Sequence, residues 1–398
     1  MEVGVVGKPN VGKSTFFNAL TLLDAPMAPY PFTTTVPNRG VGAVRVPCPH
    51  TEKGTPCTPG NAKCVNGVRW VPVNLIDVPG LVPGAHTGKG LGHKFLDDLR
   101  AADGFIQVVD LSGGTDAEGR IVPSGTLDPA EEVGWLEEEL VNWVAEILAR
   151  DFVRTARSTE LDGKKVEEFL AQRLAGLSIT AAAISAALRS VPVEREHPAR
   201  WSDADRVSLA RELLRVAKPR NVAANKCDRS SKDAAATLAD RVAPTPVTAT
   251  SAEAELTLRR AARAGLVEYA PGDPTFRVAD SSRLSAGQEH ALREIRTILS
   301  TWGSTGVQPA LESMVFERLH QIVVFPVEDE NHWTDNRGRV LPDALLVPAG
   351  TPASDVAYRV HTDLGRNFIR AIDGRTHRAL AADHPVEPNA VIRIVARK

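Results

Sequence analysis

The sequence predicts an α/β protein built on a mostly parallel sheet, interrupted by an all-helical insertion and followed by a small mixed module. Three observations predict it. Between Val3 and Asp110, short apolar runs alternate with loops and helix-compatible stretches, the pattern of a sheet covered on both faces. From Asp128 to Lys218 strand-like runs vanish and apolar residues fall at helical spacing. Residues 311–398 then return to short apolar runs around one helical stretch. The 398 residues suffice for two or three domains. Hydrophobic (43%) and charged (24%) fractions are ordinary for a soluble chain, and a formal net charge of −2 excludes a global field directed at nucleic acid or membrane. No apolar run is long enough to span a bilayer and no secretory signal precedes the first motif, so the chain reads as cytoplasmic.

The first strand-like run, Val3 to Val6, leads into Gly7-Lys8-Pro9-Asn10-Val11-Gly12-Lys13-Ser14, a G-x-x-x-x-G-K-S sequence, and then into a helix-compatible stretch from Thr15 to Leu22. In that context Gly12 and its neighbours let backbone N–H groups converge on phosphate oxygens at a helix N-terminus. Lys13 is placed to reach β- and γ-phosphates and the Ser14 hydroxyl to ligate Mg²⁺, with Thr15 beside them. A second run, Val71 to Ile76, ends in Asp77-Val78-Pro79-Gly80, which supplies a carboxylate for the Mg²⁺ shell and, at Gly80, an N–H that can sense a γ-phosphate. Asn221 to Ala224 leads into Asn225-Lys226-Cys227-Asp228. The Asp228 carboxylate can accept from N1–H and the 2-amino group of guanine, two donors that adenine lacks, and Lys226 can brace the first loop. Ser251-Ala252 follows a further run, where backbone N–H groups could meet guanine O6. Three motifs in this order, each at a strand end, define a P-loop nucleoside triphosphatase that binds GTP.

The expected divisions are 1–128 and 219–310 for the two parts of the nucleotide domain, 129–218 for a coiled-coil-like hairpin of long helices, and 311–398 for the last module. Three helical stripes carry the insertion: Trp135, Leu136, Leu140, Trp143, Val144, Ile147 and Leu148; Phe169, Leu170, Leu174 and Leu177; and Leu209, Leu213 and Leu214. In the last module Val323–Val327, Ala344–Val347 and Ala390–Val395 read as strands, and Ala353–Thr362 as a helix opened by a Thr351 cap and Pro352. Arg359, His361, Arg366, Arg370, Arg375, His377 and Arg378 make one stretch basic, either an RNA-contacting face or an ordinary solvated surface. Of four cysteines, Cys227 belongs to the base motif; Cys48, Cys57 and Cys64 lie with His50 in a Pro/Gly-rich insertion, residues 47–67, of the nucleotide domain. These are zinc-ligand types, but no close C-x-x-C pair is present, so the spacing favours reduced loop cysteines over a Cys₃His zinc site.

The first loop, together with Tyr30-Pro31-Phe32-Thr33-Thr34 and Gly88-Lys89-Gly90-Leu91-Gly92, resembles the Obg-related, YchF-type translation-factor GTPases nearly end to end, archaeal members most. The resemblance implies a G domain with a helical insertion, a C-terminal TGS module of β-grasp fold, and ribosome or RNA association; the chain is expected to be a monomer. It places Thr34, with Thr33 as rival, in the first switch over Mg²⁺ and γ-phosphate, and Asp77 and Gly80 in the second. It implies Asn225, Lys226 and Asp228 at the guanine, helped by Ser251 and Ala252, and a K⁺ near Asn10. Many members carry a glutamate-ending base motif and prefer ATP; this chain keeps Asn-Lys-x-Asp, which favours GTP. The position of the water-orienting glutamine of Ras-like enzymes is Leu81, which cannot hydrogen-bond water, so hydrolysis is expected to be slow and partner- or K⁺-stimulated. His86, His93 and Gln107 are the polar candidates for that role. Two other readings stand beside the GTPase: an ATPase of the same fold, and a nucleotide-stabilised RNA-binding scaffold with negligible turnover.

Overall fold

The computed structural model describes residues 1–22, 38–78 and 100–397. The chain divides into two compact units, Met1–Gly40 with Asn74–Met314, and Val41–Val73 with Val315–Lys398. The boundaries at Gly40 and Asn74 fall inside two strands, β2 (Asn38–Pro47) and β4 (Val68–Asp77).

The first unit is organised by a parallel sheet. β1 (Glu2–Val6) pairs with β4 on one side and β5 (Gly104–Asp110) on the other, followed by β6 (Arg220–Asn225) and β7 (Val247–Ala249). Covered on both faces, the strands need apolar residues at every position rather than every second one. Accordingly Val3, Val5 and Val6 are buried, as is every residue of β5. The register sets Val5 beside Asp77 and Asp110 beside Asn225, so the C-terminal ends of β1, β4, β5 and β6 meet along one edge of the sheet. Open α/β sheets bind ligands outside that edge.

Five helices occupy residues 129–217: α3 (Pro129–Ala149), α4 (Phe152–Leu161), α5 (Val166–Arg173), α6 (Ala181–Ser190) and α7 (Asp203–Ala217). Their starts follow local chemistry. Asp128 accepts from Ala130 N–H ahead of Pro129, Thr180 caps α6, and Ser202 forms a capping box with Asp205. The expected hairpin of long helices is thus only partly right: α3 packs on α7, but three shorter helices intervene. Left-handed backbone at Asp151, Gly163 and Ser178 breaks the path, and two of these three residues are not glycine. All three apolar stripes enter one core, which also takes Val6, Ile76 and Phe105 from the sheet, so the inserted helices and one part of the sheet share an interior. Leu136 lies at its centre with 0% exposure. Leu136→Ala is expected to cost about 2–5 kcal/mol, read as a lower midpoint of chemical unfolding. The unit closes with α8 (Lys232–Arg241), α9 (Ala252–Arg263), a two-stranded ribbon of β8 (Val267–Glu268) and β9 (Arg277–Val278), and α10 (Ala286–Trp302).

The second unit centres on a mixed sheet, β10 (Gln321–Val327), β11 (Leu345–Pro348), β12 (Phe368–Asp373), β13 (Ala379–Leu380) and β14 (Ala390–Ala396), in the order β11-β10-β14-β12-β13. β10 and β14 are parallel and the outer pairs antiparallel. Val356 on the helix Ala353–Val360 joins Val324, Val347, Ala371 and Ile392 in its core. Pro352, not Thr351, occupies the N-cap position of that helix; the Thr351 hydroxyl donates back to Pro348 O at 2.6 Å. Residues 47–67, expected inside the nucleotide domain, group with this sheet instead. They form a short helix α2 (His50–Lys53) and a strand β3 (Lys63–Val65) that turns through Asn66 and Gly67, both at positive φ, onto β4. In the basic stretch Arg375 is committed: it grips the Glu52 carboxylate with two bonds of 2.7 Å and donates to Asn389 O. Arg359, Arg366, Arg370, His377 and Arg378 are exposed.

Candidate nucleotide-binding site

The loop between β1 and α1 (Lys13–Thr21) turns through Gly7, Asn10 and Gly12, all at positive φ. Gly12, at φ 94°, has no room for a side chain, because a Cβ there would collide with Asn225 Nδ2. That crowding has a hydrogen-bonded cause: Asn225 Nδ2 donates to Val11 O at 2.8 Å, while its Oδ1 accepts from Ala252 N–H at 3.0 Å and Thr250 Oγ1 at 3.3 Å. Lys226, in the left-handed region, donates to Asn10 O at 2.9 Å and so braces the loop. Asn10 Nδ2 in turn donates to Gly119 O at 2.7 Å. The Asn225–Asp228 motif, more than two hundred residues away in sequence, is therefore locked to this loop.

At the mouth of α1, Lys13 Nζ lies 2.5 Å from Asp77 Oδ1 and Ser14 Oγ donates to Asp77 Oδ2 at 3.1 Å. Asp77 is fully buried and Lys13 nearly so. Thr15 follows, half-buried, on the first turn. On the far side Ser251 Oγ donates to Asp228 Oδ1 at 2.8 Å. The structure thus brings together Asn10, Gly12, Lys13, Ser14, Thr15, Asp77, Asn225, Lys226, Asp228, Ser251 and Ala252. One expectation changes in detail. The Ser251 N–H donates to Thr305 O and the Ala252 N–H to Asn225 Oδ1, so these amides hold the protein together rather than pointing at a base. Gln107 is also reassigned. It is buried within β5, its Nε2 donating to Glu132 O and its Oε1 accepting from Arg220, which removes it as a water-orienting group. Thr33, Thr34, Gly80, Leu81, His86 and His93 lie outside the described residues.

A polar group behind the loop escapes sequence reasoning. Lys226 Nζ lies 2.8 Å from Asp110 Oδ2, and the same carboxylate accepts from the Ser112 and Thr115 hydroxyls. Burial opposes ionisation of Asp110, but these donors and the Lys226 charge outweigh it and hold its pKa below the usual carboxylate range. Lys8 Nζ donates to Thr115 O at 2.7 Å and sits 3.0 Å from Glu132 Oε2. The latter is a charge contact: no donor among the described residues makes a well-aligned hydrogen bond to either Glu132 oxygen. Burial therefore pushes the Glu132 pKa from 4.5 up to about 7, against the pull of Lys8. A carboxyl raised on folding contributes stability that is complete below its unfolded pKa and lost as pH rises through the folded one. Unfolding free energy should decline between pH 4.5 and about 7 from this group, and Glu132→Gln should flatten that window in pH-dependent denaturation. The available signal was an ionisable residue on each of two otherwise buried segments, Lys8 and Glu132, which nothing in one dimension pairs.

A glycine loop braced by an Asn-Lys-x-Asp motif, with a buried carboxylate at the first helical turn, defines a P-loop protein of the GTPase class. Comparison with known proteins agrees. Residues 2–148 match the family model of the 50S ribosome-binding GTPase, residues 223–329 that of the Obg-like GTPase YGR210-like, G4 motif-containing domain, and residues 337–396 that of the TGS domain. An uncharacterized GTP-binding protein of Methanocaldococcus jannaschii is 44% identical over 395 residues, covering 99% of this chain and 98% of its own. The crystal structure of a GTP binding protein from Pyrococcus horikoshii superposes with a TM-score of 0.80 at 36% identity, covering both chains fully. A protein of Haemophilus ducreyi named ribosome-binding ATPase YchF is 41% identical over 141 residues, 35% of this chain and 36% of its own. The chain belongs to the YchF/Obg-like family of GTP-binding proteins, with a G domain and a C-terminal TGS domain. Among the described residues no helix is long and apolar enough to cross a membrane.

Proposed function

We propose that the chain binds GTP at this edge of the sheet, hydrolyses it slowly to GDP and phosphate, and uses the nucleotide state to control association with the ribosome or RNA. The observation that carries the reading is the base-side geometry: Asp228 held by Ser251 Oγ, with Asn225 and Lys226 both fastened to the phosphate loop. Base recognition and phosphate binding then share one rigid assembly, and a carboxylate at Asp228 selects guanine. Lys13 neutralises β- and γ-phosphate charge. The residues present fit Mg²⁺: two hard oxygen donors, Ser14 Oγ and Asp77 Oδ2, stand 3.1 Å apart, close to the edge of about 3 Å in an octahedral Mg²⁺ site. Held by Ser14 and Asp77, the ion would supply positive charge to offset the negative charge that develops on the transferred phosphoryl group. Thr34 and Gly80 take the γ-phosphate-sensing roles on sequence grounds, and a K⁺ held near Asn10 would supply the positive charge of an arginine finger, while Leu81 leaves the attacking water without a glutamine to orient it. The ribosome-binding names of the family model and of the Haemophilus relative support the partner.

The competing ATPase reading is favoured by that relative's name. Competitive binding of GTP, GDP and ATP with Mg²⁺, in K⁺ and in Na⁺, separates the two. Guanine preference supports a GTP-driven cycle, and adenine preference replaces it with an ATP-driven one. Phosphate release that rises with K⁺ or with ribosomes is the expected kinetic result; its absence under every condition would leave a binding scaffold.

A further inference from the structure

The Pro/Gly-rich segment after β2 has too little regular structure to hold itself together, yet four of its side chains converge. Cys48 follows the last residue of β2, His50 opens α2, Cys57 lies in the loop beyond, and Cys64 sits in β3. Their ligand atoms all lie within 4.8 Å of one another. Cys48 Sγ and Cys57 Sγ are 3.9 Å apart, and Cys64 Sγ is 3.6 Å from His50 Nδ1. A tetrahedral zinc with ordinary bond lengths sets its sulfur–sulfur edges at about 3.8 Å and its sulfur–nitrogen edges at about 3.6 Å. A disulfide needs its sulfurs near 2.05 Å, so the separation of Cys48 and Cys57 is that of co-ligands rather than of a bonded pair.

A second, independent observation points to an anion at the same place. Arg69, directly across the hairpin from Cys64, is 0% exposed. Its Nη2 donates to Leu341 O at 2.9 Å and to Cys48 Sγ at 3.4 Å, while Nε and Nη1 have no hydrogen-bond partner among the described residues. Among those residues no carboxylate lies within ion-pair reach of it, and the Phe325 ring faces the guanidinium instead. A buried guanidinium is tolerated only beside a compensating charge. Three thiols and an imidazole supply none. Three thiolates, a neutral imidazole and Zn²⁺ sum to one negative charge, next to Arg69.

We propose that Cys48, His50, Cys57 and Cys64 bind one structural zinc ion, whose net negative thiolate cluster is compensated by Arg69. All four protein ligands close the tetrahedron, so no position is left for substrate and the role is architectural. On binding, three thiol protons pass to solvent as three Zn–S bonds form, and His50 coordinates through Nδ1 in its neutral form. The loop carrying Cys57 is otherwise tied down by Thr58 N–H to Val340 O, Gly60 N–H to Pro342 O and the paired Asn61–Ala344 bonds. The metal therefore joins that loop to α2 and to the β3–β4 hairpin. This reverses the preference for reduced loop cysteines drawn from the missing C-x-x-C pair.

The test is elemental analysis of the purified full-length chain, before and after reconstitution with Zn²⁺ alone, together with Co²⁺ substitution. About one equivalent of zinc per chain is expected, with an intense tetrahedral ligand-field spectrum and thiolate-to-metal charge transfer in the cobalt form. Cys57→Ser and Cys64→Ser should each drop zinc to background and abolish the thiolate-to-cobalt charge-transfer band. Because either variant can misfold, the wild-type cobalt spectrum stands as a separate arm. Zinc well below one equivalent after reconstitution, a weak octahedral cobalt spectrum, stoichiometric iron instead of zinc, or full zinc retention in Cys64→Ser would each overturn the assignment.

Discussion

Asp228→Asn is expected to lower GTP affinity by about a hundredfold, near 3 kcal/mol, while leaving ATP affinity unchanged. The asymmetry follows from donors and acceptors. A carboxylate offers only acceptors to N1–H and the 2-amino group, whereas an amide turns its NH₂ toward one of these donors. The Ser251 hydroxyl, which donates to Asp228 Oδ1, can still donate to the asparagine carbonyl, so the fold should survive. Isothermal titration of both nucleotides against wild type and variant reads the difference. An unchanged GTP affinity would mean that Asp228 does not face the base, and the ATPase reading would take over.

Lys13→Met is expected to reduce phosphate release by about 10²–10³-fold, the usual loss when one charge-stabilising donor is removed from a reacting centre. It carries a structural cost as well. Asp77 is fully buried and among the described residues would keep only the neutral donors Ser14 Oγ and Asn38 Nδ2, so a loss of about 3 kcal/mol in stability should follow. The double variant Lys13→Met/Asp77→Asn removes the stranded charge, and its thermal midpoint should recover while turnover does not. Recovery of both would show that the single variant failed only through misfolding. Turnover retained in Lys13→Met would remove the lysine from the chemistry.

Much of this site was readable in advance because its residues sit where short-range rules act. An apolar run before each motif placed Asp77 and Asn225 at strand ends, and parallel pairing brings strand ends together without further information. The glycines of the first loop, Gly7 and Gly12, marked backbone that other residues cannot adopt. What stayed hidden was pairing at a distance. Lys8 with Glu132, Lys226 with Asp110, and Arg69 with Leu341 are contacts across many elements, and no spacing rule links them. The sulfur cluster was obscured for a related reason: its ligands come from a strand end, a helix start, a loop and a hairpin, so convergence depends on the fold rather than on the local repeat. The exchange of the Ser251 and Ala252 amides from ligand donors to internal bonds was equally invisible, since an N–H has no sequence signature for its acceptor.

The second unit draws on two stretches, Val41–Val73 and Val315–Lys398, with some 240 residues between them. During synthesis the first stretch leaves the ribosome early and must wait, its three cysteines and Arg69 already made, until the other half of its core has been translated. At roughly 5–20 residues per second that interval is on the order of ten seconds or more. A chain stopped after Met314 would carry an orphaned hairpin with nothing to pack on. The natural way to isolate the nucleotide domain is therefore to remove both stretches at once, bridging Gly40 to Asn74 with a short turn, rather than to cut at a single point.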